Sequence, residues 1–525
     1  MTPGPLVGET RTVDVDAEDR VPWVLGTQLS SAVGPLGAAP EGSRVLLIEA
    51  HGFADRLPYH EQKLTLLFSA MRHFRDELRA AGYEVSYRQT ERFAEGLSQH
   101  FRAHPEDTLV AMESPSHGAA DRLSGLAAEA GGRAEFVENE LFLSRTDAFA
   151  DWSADRDPPY RHEDFYRWMR RETGILLVDG EPAGGEWNYD DRNRDTPPAD
   201  WEPPARLSFE PDEQTREVRA WVRERFDTWG EGDSFDWPVT RTEALDRLDH
   251  FVTERLPGFG TYQDAMREGE WAMAHSLLSP AINIGLLHPA ELLDRVEAAF
   301  RSGDVPINAA EGFVRQLLGW REFVRHVYRA GMPELADANQ LEATAPLPDL
   351  YWTGDTDMAC LADAVGTVRE RGYAHHIQRL MILANFATLS GTDPSELNRW
   401  FHATFLDAYH WVTTPNVVEM GSFGAGLFAT KPYVASANYV HRMSDYCTDC
   451  VYDHRAASGE DACPFNALYW DFLARNESRL RENYRMGLVY SHLDDKRSVG
   501  DLSAIRERAA EYSENEGGSG LEGVD

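Results

Sequence analysis

Cys447, Cys450 and Cys463 form a CxxC with a third thiol thirteen residues on, and with Cys360 upstream they account for every cysteine of the chain. Four thiolates are the complement of a tetrahedral zinc ion or of a [4Fe-4S] cluster, and the Cys463-Pro464 pair is a pairing found at cluster ligands. Two disulfides are the other use of four cysteines. The chain shows no secretory leader and no apolar run of about 18 residues, so a reducing compartment is expected and disulfides are not. A second group of candidates lies in Tyr373-Ala-His375-His376-Ile-Gln378-Arg379, where two imidazoles adjoin a guanidinium one turn on, in a helix whose continuation, Met381 to Phe386, is apolar. A histidine near its pKa can give or take a proton, although a single buried histidine is more often a core group. Ser276, Ser279 and Asn283 flank Pro280 at an expected helix start, where free N–H groups and the helix dipole attract phosphate; alone they would make an ordinary cap. Arg315-Gln316 and Trp320-Arg321-Glu322-Phe323 set polar and aromatic groups on neighbouring turns, as a salt-bridged helix face also does.

The elements that must position these residues fall into two kinds. Val21-Pro-Trp-Val-Leu-Gly26, Val45-Leu-Leu-Ile48, Tyr83-Glu-Val-Ser-Tyr87, Thr108-Leu-Val-Ala-Met112 and Glu135-Phe-Val137 read as short strands, several of them separated by amphipathic stretches such as Lys63 to Ala80. That alternation predicts a doubly wound parallel sheet over residues 21–142, with ligands at the carboxyl ends of its strands, near Thr27, Gln28 and Ser30 and from Glu49 to Phe53. No GxGxxG is present, which argues against a dinucleotide there. Residues 143–239 are rich in Trp, Pro and Asp and read as a connector with short helices. From 240 to 500 the periodicity is helical, punctuated by Gly and Pro, and predicts a large all-α domain. Residues 1–20 form an N-terminal segment, and 501–525 read as an acidic, partly disordered tail, in which only Glu514 to Asp525 is rich enough in Gly, Ser and Glu to read as disordered.

At 525 residues, with 42% hydrophobic side chains, the chain is large enough for two or three cored domains and is enzyme-sized. Its 51 basic and 88 acidic residues leave a net charge of -37, spread along the whole length. Such a coat suits a cytoplasm held at high salt, where repulsion is screened over about 3 Å at 1 M. It argues against non-specific nucleic-acid binding, which weakens steeply with salt, and allows a pocket that engulfs a single base.

WVLGTQL, PYHEQKLTLLFSAMRHF, GGEWNYDDRNR, SLLSPAINIGLL, YAHHIQRLMILANF, TKPYVASANY and the CxxC…CPF ending together resemble the iron-sulfur bacterial cryptochrome and photolyase family, the prokaryotic (6-4) photolyase-like proteins, over about residues 21–500. The resemblance implies that Cys360, Cys447, Cys450 and Cys463 hold a [4Fe-4S] cluster. It implies FAD in the helical domain, walled by Gln263, Ser276, Ser279, Asn283, Gln316, Arg321, Arg379, Asp407 and Asn416, with the Arg379–Asp407 pair beside the ring system. It implies a 6,7-dimethyl-8-ribityllumazine antenna in the α/β domain, with Gln28, Glu49 and Lys63 as contacts. Trp400 matches the flavin-proximal electron donor and Trp352 a more surface-ward one, with Phe401 between them where relatives often carry tyrosine. Thr413 stands where relatives bear a carboxylate.

The activity implied is light-driven reversal of (6-4) photoproducts in DNA by a soluble, monomeric cytoplasmic enzyme. An electron passes from reduced FAD to a lesion flipped out of the duplex, His376 donates a proton, and His375, Tyr433 and Tyr439 line the lesion pocket. Eukaryotic relatives place a second histidine four residues after the first; here that position is Leu380. A blue-light photoreceptor of the same fold, signalling without repair, is the alternative, and a light-independent Fe-S flavoprotein that binds DNA is a third reading.

Overall fold

The computed structural model describes residues 19–515. Its amino-terminal part is built on five parallel strands: β1 (Arg20–Val24), β2 (Arg44–Ala50), β3 (Glu84–Thr90), β4 (Thr108–Met112) and β5 (Arg133–Val137), in the order β3-β2-β1-β4-β5. The strand sequences explain the order. RVPWV, RVLLIEA and TLVAM are apolar on both faces and take the three central places, covered by helices on both sides, whereas EVSYRQT and RAEFV alternate and sit at the edges. Helix Glu61–Ala80 covers one face, and helices Phe93–Ala103 and Ala119–Glu129 belong to the other. The chain reverses its winding between β1 and β4, so the carboxyl ends of those strands open a crevice.

The expected α/β sheet and large helical region are therefore both present. Residues 143–239 are more than a tether. Helices Thr146–Ser153, His162–Thr173 and Glu213–Arg225 carry Phe165, Tyr166, Met169, Val218 and Val222 into the same core as the helical region. Arg170, fully buried, donates to the carbonyls of Ile175, Leu176 and Trp187 and fixes the turn that leads out of its helix.

The expected acidic tail from residue 501 is ordered as far as the chain is described. Asp501–Asn515 is a helix, and it packs on helix Pro464–Arg475 through Ile505, Ala509 and Tyr512. Residues 1–18 and 516–525, which include most of the expected N-terminal segment and the end of the tail, lie outside the described residues.

Two large cores fill the helical region, one continuous with the α/β domain and one around Trp400, Phe386 and Phe465. The helices between them are interrupted by wide π-helical turns at Arg315–Arg321, Gln378–Ala384 and Pro415–Gly421. Such turns add a residue to the helix and re-aim side chains, and they recur at functional sites.

Candidate active site

A cavity of about 300 Å³ opens between the two cores, and the three π-helical turns named above contribute to its wall: Gln316 and Arg321 from the first, Arg379 and Leu380 from the second, Asn416, Val417 and Met420 from the third. Arg379 faces Asp407 in a two-pronged pair, with Nη1 to Oδ1 at 2.9 Å and Nη2 to Oδ2 at 3.0 Å, while its Nε donates to the Ala374 carbonyl. The Ser279 hydroxyl donates to Asp407 Oδ2 at 2.6 Å, and Asn283 Nδ2 to the Asp407 carbonyl. Burial opposes charge on Asp407, yet the Arg379 guanidinium and these hydrogen bonds hold its carboxyl below the usual range. Ser276, Ser279, Asn283, Gln316, Arg321, Arg379, Asp407, Asn416 and His376 all line this one cavity. Gln263 does not: its Oε1 lies near Gly312, buried and without a partner.

The aromatic and imidazole candidates divide. His376 lines the cavity, and burial together with Arg379 lowers it to about 4 against the pull of Asp190. His375 is turned away into a fully buried position, stacked on His275. Tyr433 is 39% exposed and Tyr439 half-buried, and neither is part of the cavity wall. Burial and then Asp264 push the Tyr439 hydroxyl up to about 12, and Asp264 itself is raised to about 6 by burial and Asp190. Asp190, paired with Arg315 at 2.9 Å, thus acts on both His376 and Tyr439. Asp190 lies in the GGEWNYDDRNR block, where a carboxylate beside aromatics and arginines is the only signal the sequence carries for it.

Trp400 is fully buried behind Phe401, which lines the cavity, their rings 5.2 Å apart. The expectation that Phe401 separates Trp400 from Trp352 is corrected, because Trp229 from the connector stands there. Its ring centroid lies 6.5 Å from that of Trp400 and 6.0 Å from that of Trp352, and its indole N–H donates to the Trp352 carbonyl. Phe401 is on the cavity side instead, since successive residues of helix Pro394–Thr404 are turned about 100° from each other. Thr413 also lines the cavity, its hydroxyl donating to the Tyr409 carbonyl.

The four cysteines are unpaired and surround one small apolar cavity with Met358, Val440, Tyr446 and Phe465. Cys360 comes from helix Ala359–Arg371 and Cys463 caps helix Pro464–Arg475. Burial pushes Cys463 up to about 12 and Cys447 to about 11, and raises Cys360 well above its usual value, so thiolates crowded here are stable only against a cation. Among the described residues, ligand atoms within 4.8 Å of one another come from His441, Cys447 and His454, and no three of the four thiols approach that closely. On one tetrahedral ion, with bonds of about 2.3 Å, sulfurs would stand roughly 3.8 Å apart. No three of the four thiols therefore stand as close together as the ligands of one zinc ion would.

Comparison with known proteins agrees with this geometry. A sequence profile of the family described as "Deoxyribodipyrimidine photo-lyase-related protein" matches residues 22–237. The chain is 40% identical over 477 residues to the (6-4) photolyase of Agrobacterium fabrum, covering 89% of this chain and 94% of that protein. The chain belongs to the (6-4) photolyase family. The fold is shared more widely within the photolyases and cryptochromes. A bacterial class III photolyase from Agrobacterium tumefaciens superposes with a TM-score of 0.55 at 18% identity over 79% of this chain and 81% of that one. A Synechocystis cryptochrome does so with 0.55 at 13% over 77% and 82%.

In this photolyase-family chain the three expected antenna contacts are not brought together. The Gln28 amide donates to the Met112 and Glu113 carbonyls. Glu49 is fully buried, and although burial opposes its charge, hydrogen bonds from His51, Arg72 and Tyr87 hold it at about 2. Lys63 reaches the other way, to the carbonyls of His402 and Ala408 at 2.6 and 2.7 Å, and burial lowers it to about 7. A cavity of about 140 Å³ does lie at the carboxyl ends of β1 and β4, beside Thr27, Ser114, Ser116 and Asn139, and it shares Ile282, Asn283, Arg321 and Trp411 with the main cavity.

Proposed function

We propose that this protein is a light-dependent lyase that reverses (6-4) pyrimidine-pyrimidone photoproducts in DNA. The observation that carries the reading is one cavity wall that joins the Arg379–Asp407–Ser279 network to His376, in a chain 40% identical over most of its length to a (6-4) photolyase. FAD, reduced and excited by blue light, would supply the electron for the lesion. Ser276, Ser279, Asn283, Gln316, Arg321 and Asn416 would hold it. The Arg321 Nε, buried and without a protein partner on the cavity wall, is the kind of donor a bound group satisfies. Arg379 keeps a fixed positive charge at the wall, and Asp407 fixes its orientation, which favours an anionic form of whatever ring lies against it.

His376 would hold and deliver the proton that electron transfer alone cannot supply. Its neutral state in the free cavity is set by desolvation and Arg379, and an anionic occupant would raise it towards the working range. Tyr433 and Tyr439, outside the cavity wall, would meet the flipped lesion at its rim. Residues 240–500 would form the catalytic domain and 21–142 the antenna domain, with a lumazine-type chromophore at the carboxyl ends of β1 and β4. The four thiolates would hold a [4Fe-4S] cluster that braces the site: Tyr446 in the thiol cavity hydrogen-bonds Asp363 on the helix of Cys360 and also Gln378, whose Oε1 accepts from the His375 amide. The acidic coat suits a monomer in a salt-rich cytoplasm, binding DNA through a pocket rather than a basic face.

The deciding experiment exposes the reduced protein, without oxygen and in molar salt, to an oligonucleotide carrying one (6-4) photoproduct, under blue light and in darkness. Chromatography should show intact thymines returning in the light only. Normal flavin photochemistry with no returned thymine would sink the repair reading in favour of a photoreceptor.

A further inference from the structure

The turn Met273–Leu277 is held in a conformation that packing alone does not require. Met273 and Leu277 have φ of 41° and 58°, left-handed values that cost a non-glycine residue about 1 to 3 kcal/mol each. Arg255 clamps the turn by donating to the carbonyls of Ala272, Met273 and His275. What the turn presents is the His275 ring. It is 9% exposed and lines the main cavity, and neither ring nitrogen has a partner that meets hydrogen-bond geometry, although the Ala272 carbonyl is near. One face of the ring stacks on His375, with centroids 4.6 Å apart and planes 13° from parallel. His375 is fully buried and equally without partners at both nitrogens, and His376, next in the chain, lines the same cavity.

Three imidazoles thus meet at one wall, and two of them face the cavity from segments far apart in sequence. A buried polar group left unsatisfied costs about 1 to 3 kcal/mol, so a histidine kept only for packing would be replaced or hydrogen-bonded. Here backbone strain is added to that cost, and both are explained if the missing partner is a ligand. The charges facing the array are Arg255 and Arg379, both unfavourable to a further positive charge, and Asp190, which favours it at His376. Rings this close cannot all be protonated, and they titrate as one unit. Burial and these neighbours hold His275 near 3 and His376 near 4 in the free cavity, and a bound anion raises both.

We propose that His275 is a second proton-handling residue of the cavity, coupled to His376 electrostatically across the stacked His375, so that the array holds one proton at a time and one of its two cavity-facing rings delivers it to a bound lesion. The proposal rests on the repair reading above. In the step, an imidazolium N–H bond breaks as its proton passes to an oxygen of the lesion, the imidazole is left neutral, and solvent returns the proton. No electron moves in it.

The test is histidine-selective ¹⁵N NMR of the flavin-loaded protein in darkness at neutral pH, with an oligonucleotide bearing one (6-4) photoproduct and with its undamaged counterpart. The His275 and His376 signals are assigned by their loss in H275N and H376N, with H275Q replacing H275N if that variant does not fold. On addition of the damaged strand alone, both signals should move towards imidazolium shifts, and in H376N the His275 signal should move further, because the proton then has one cavity-facing ring left. A His275 signal that is the same with damaged and undamaged strands, in wild type and in H376N, would overturn the proposal. At equal flavin loading, H275N should lower repair by roughly the hundredfold of a lost acid–base group. Blue light on the same samples separates the two readings: repair without a His275 response sinks the histidine proposal alone, and a response without repair sinks the lyase reading alone.

Discussion

Asp407 receives Arg379 through both carboxylate oxygens and Ser279 through one, so three segments of the cavity wall meet on a single buried group. Removing one member of such a pair leaves a charge without its partner, which for a buried pair costs about 3 to 5 kcal/mol. Arg379 keeps 24% exposure, so water meets part of its demand and Asp407→Asn should cost about 3 kcal/mol, at the lower end, read as the loss in urea-unfolding free energy. The pH dependence has a definite sign. The folded carboxyl lies below the unfolded value of about 3.9, so its stabilisation is fully present above that value and is lost as pH falls through the folded one. Wild type and D407N should therefore converge on acidification; a gap that stays constant down to the acid limit would show that the carboxylate charge is not what stabilises. At this scale the sequence is legible where partners are contiguous. His376 and Arg379 share one turn and stand together in the sequence, and the CxxC with its two further cysteines marks a metal site without fixing the metal. His275 reaches the same wall from another segment, Asp190 acts on His376 from the connector, and Trp229 crosses from the connector to lie between Trp400 and Trp352, so only the fold reveals them.

Elements were legible to the extent that their hydrophobic period was clean. The five strands, apolar or alternating as their place in the sheet requires, were readable in order. The carboxyl-terminal helix was hidden because Asp501–Asn515 is dominated by charge, and its apolar residues, Ile505, Ala509 and Tyr512, are few, although their spacing of four and three is that of one helix face. The π-helical turns were not legible at all, since their extra residue follows from tertiary packing and not from any local composition. The buried face of the last helix has a measurable consequence. Ile505 and Tyr512 are each worth about 1.5 to 3 kcal/mol when fully buried, so a chain ending at Gly500 should lose about 4 kcal/mol of unfolding free energy. Because that helix lies on Pro464–Arg475, which Cys463 caps, the proposed cluster should also be lost to a chelator faster from the truncated protein. Equal urea midpoints for the two lengths would mean that the helix rests on the surface without stabilising it.

On the scale of the whole molecule, two opposed electrostatic effects respond to salt, and their balance can be worked out. Salt weakens attraction as well as repulsion, and the described residues hold many ion pairs, most of them at least partly exposed, such as Arg295–Asp249, Arg225–Asp55 and Arg481–Asp494. Pairs of that kind contribute about 0 to 1 kcal/mol apiece, so losing them costs little. Even with each of the 51 basic residues paired, 37 of the 88 acidic ones would have no opposite charge, and their mutual repulsion acts across the entire surface. It is long-ranged at low salt, where the Debye length is about 30 Å at 0.01 M, and is confined to nearest neighbours at about 3 Å in 1 M salt. Repulsion outweighs pairing, and stability should rise with salt. The shape of the rise identifies its cause. Screening acts mostly in the first few tenths molar, where the Debye length falls fastest, whereas strengthening of apolar burial by excluded salts grows steadily into the molar range. Thermal unfolding in potassium chloride should therefore show a steep early gain in Tm followed by a shallow slope. A Tm that is flat or falling below half-molar salt would mean that the ion pairs dominate and that the acidic coat is not an adaptation to a salt-rich cytoplasm.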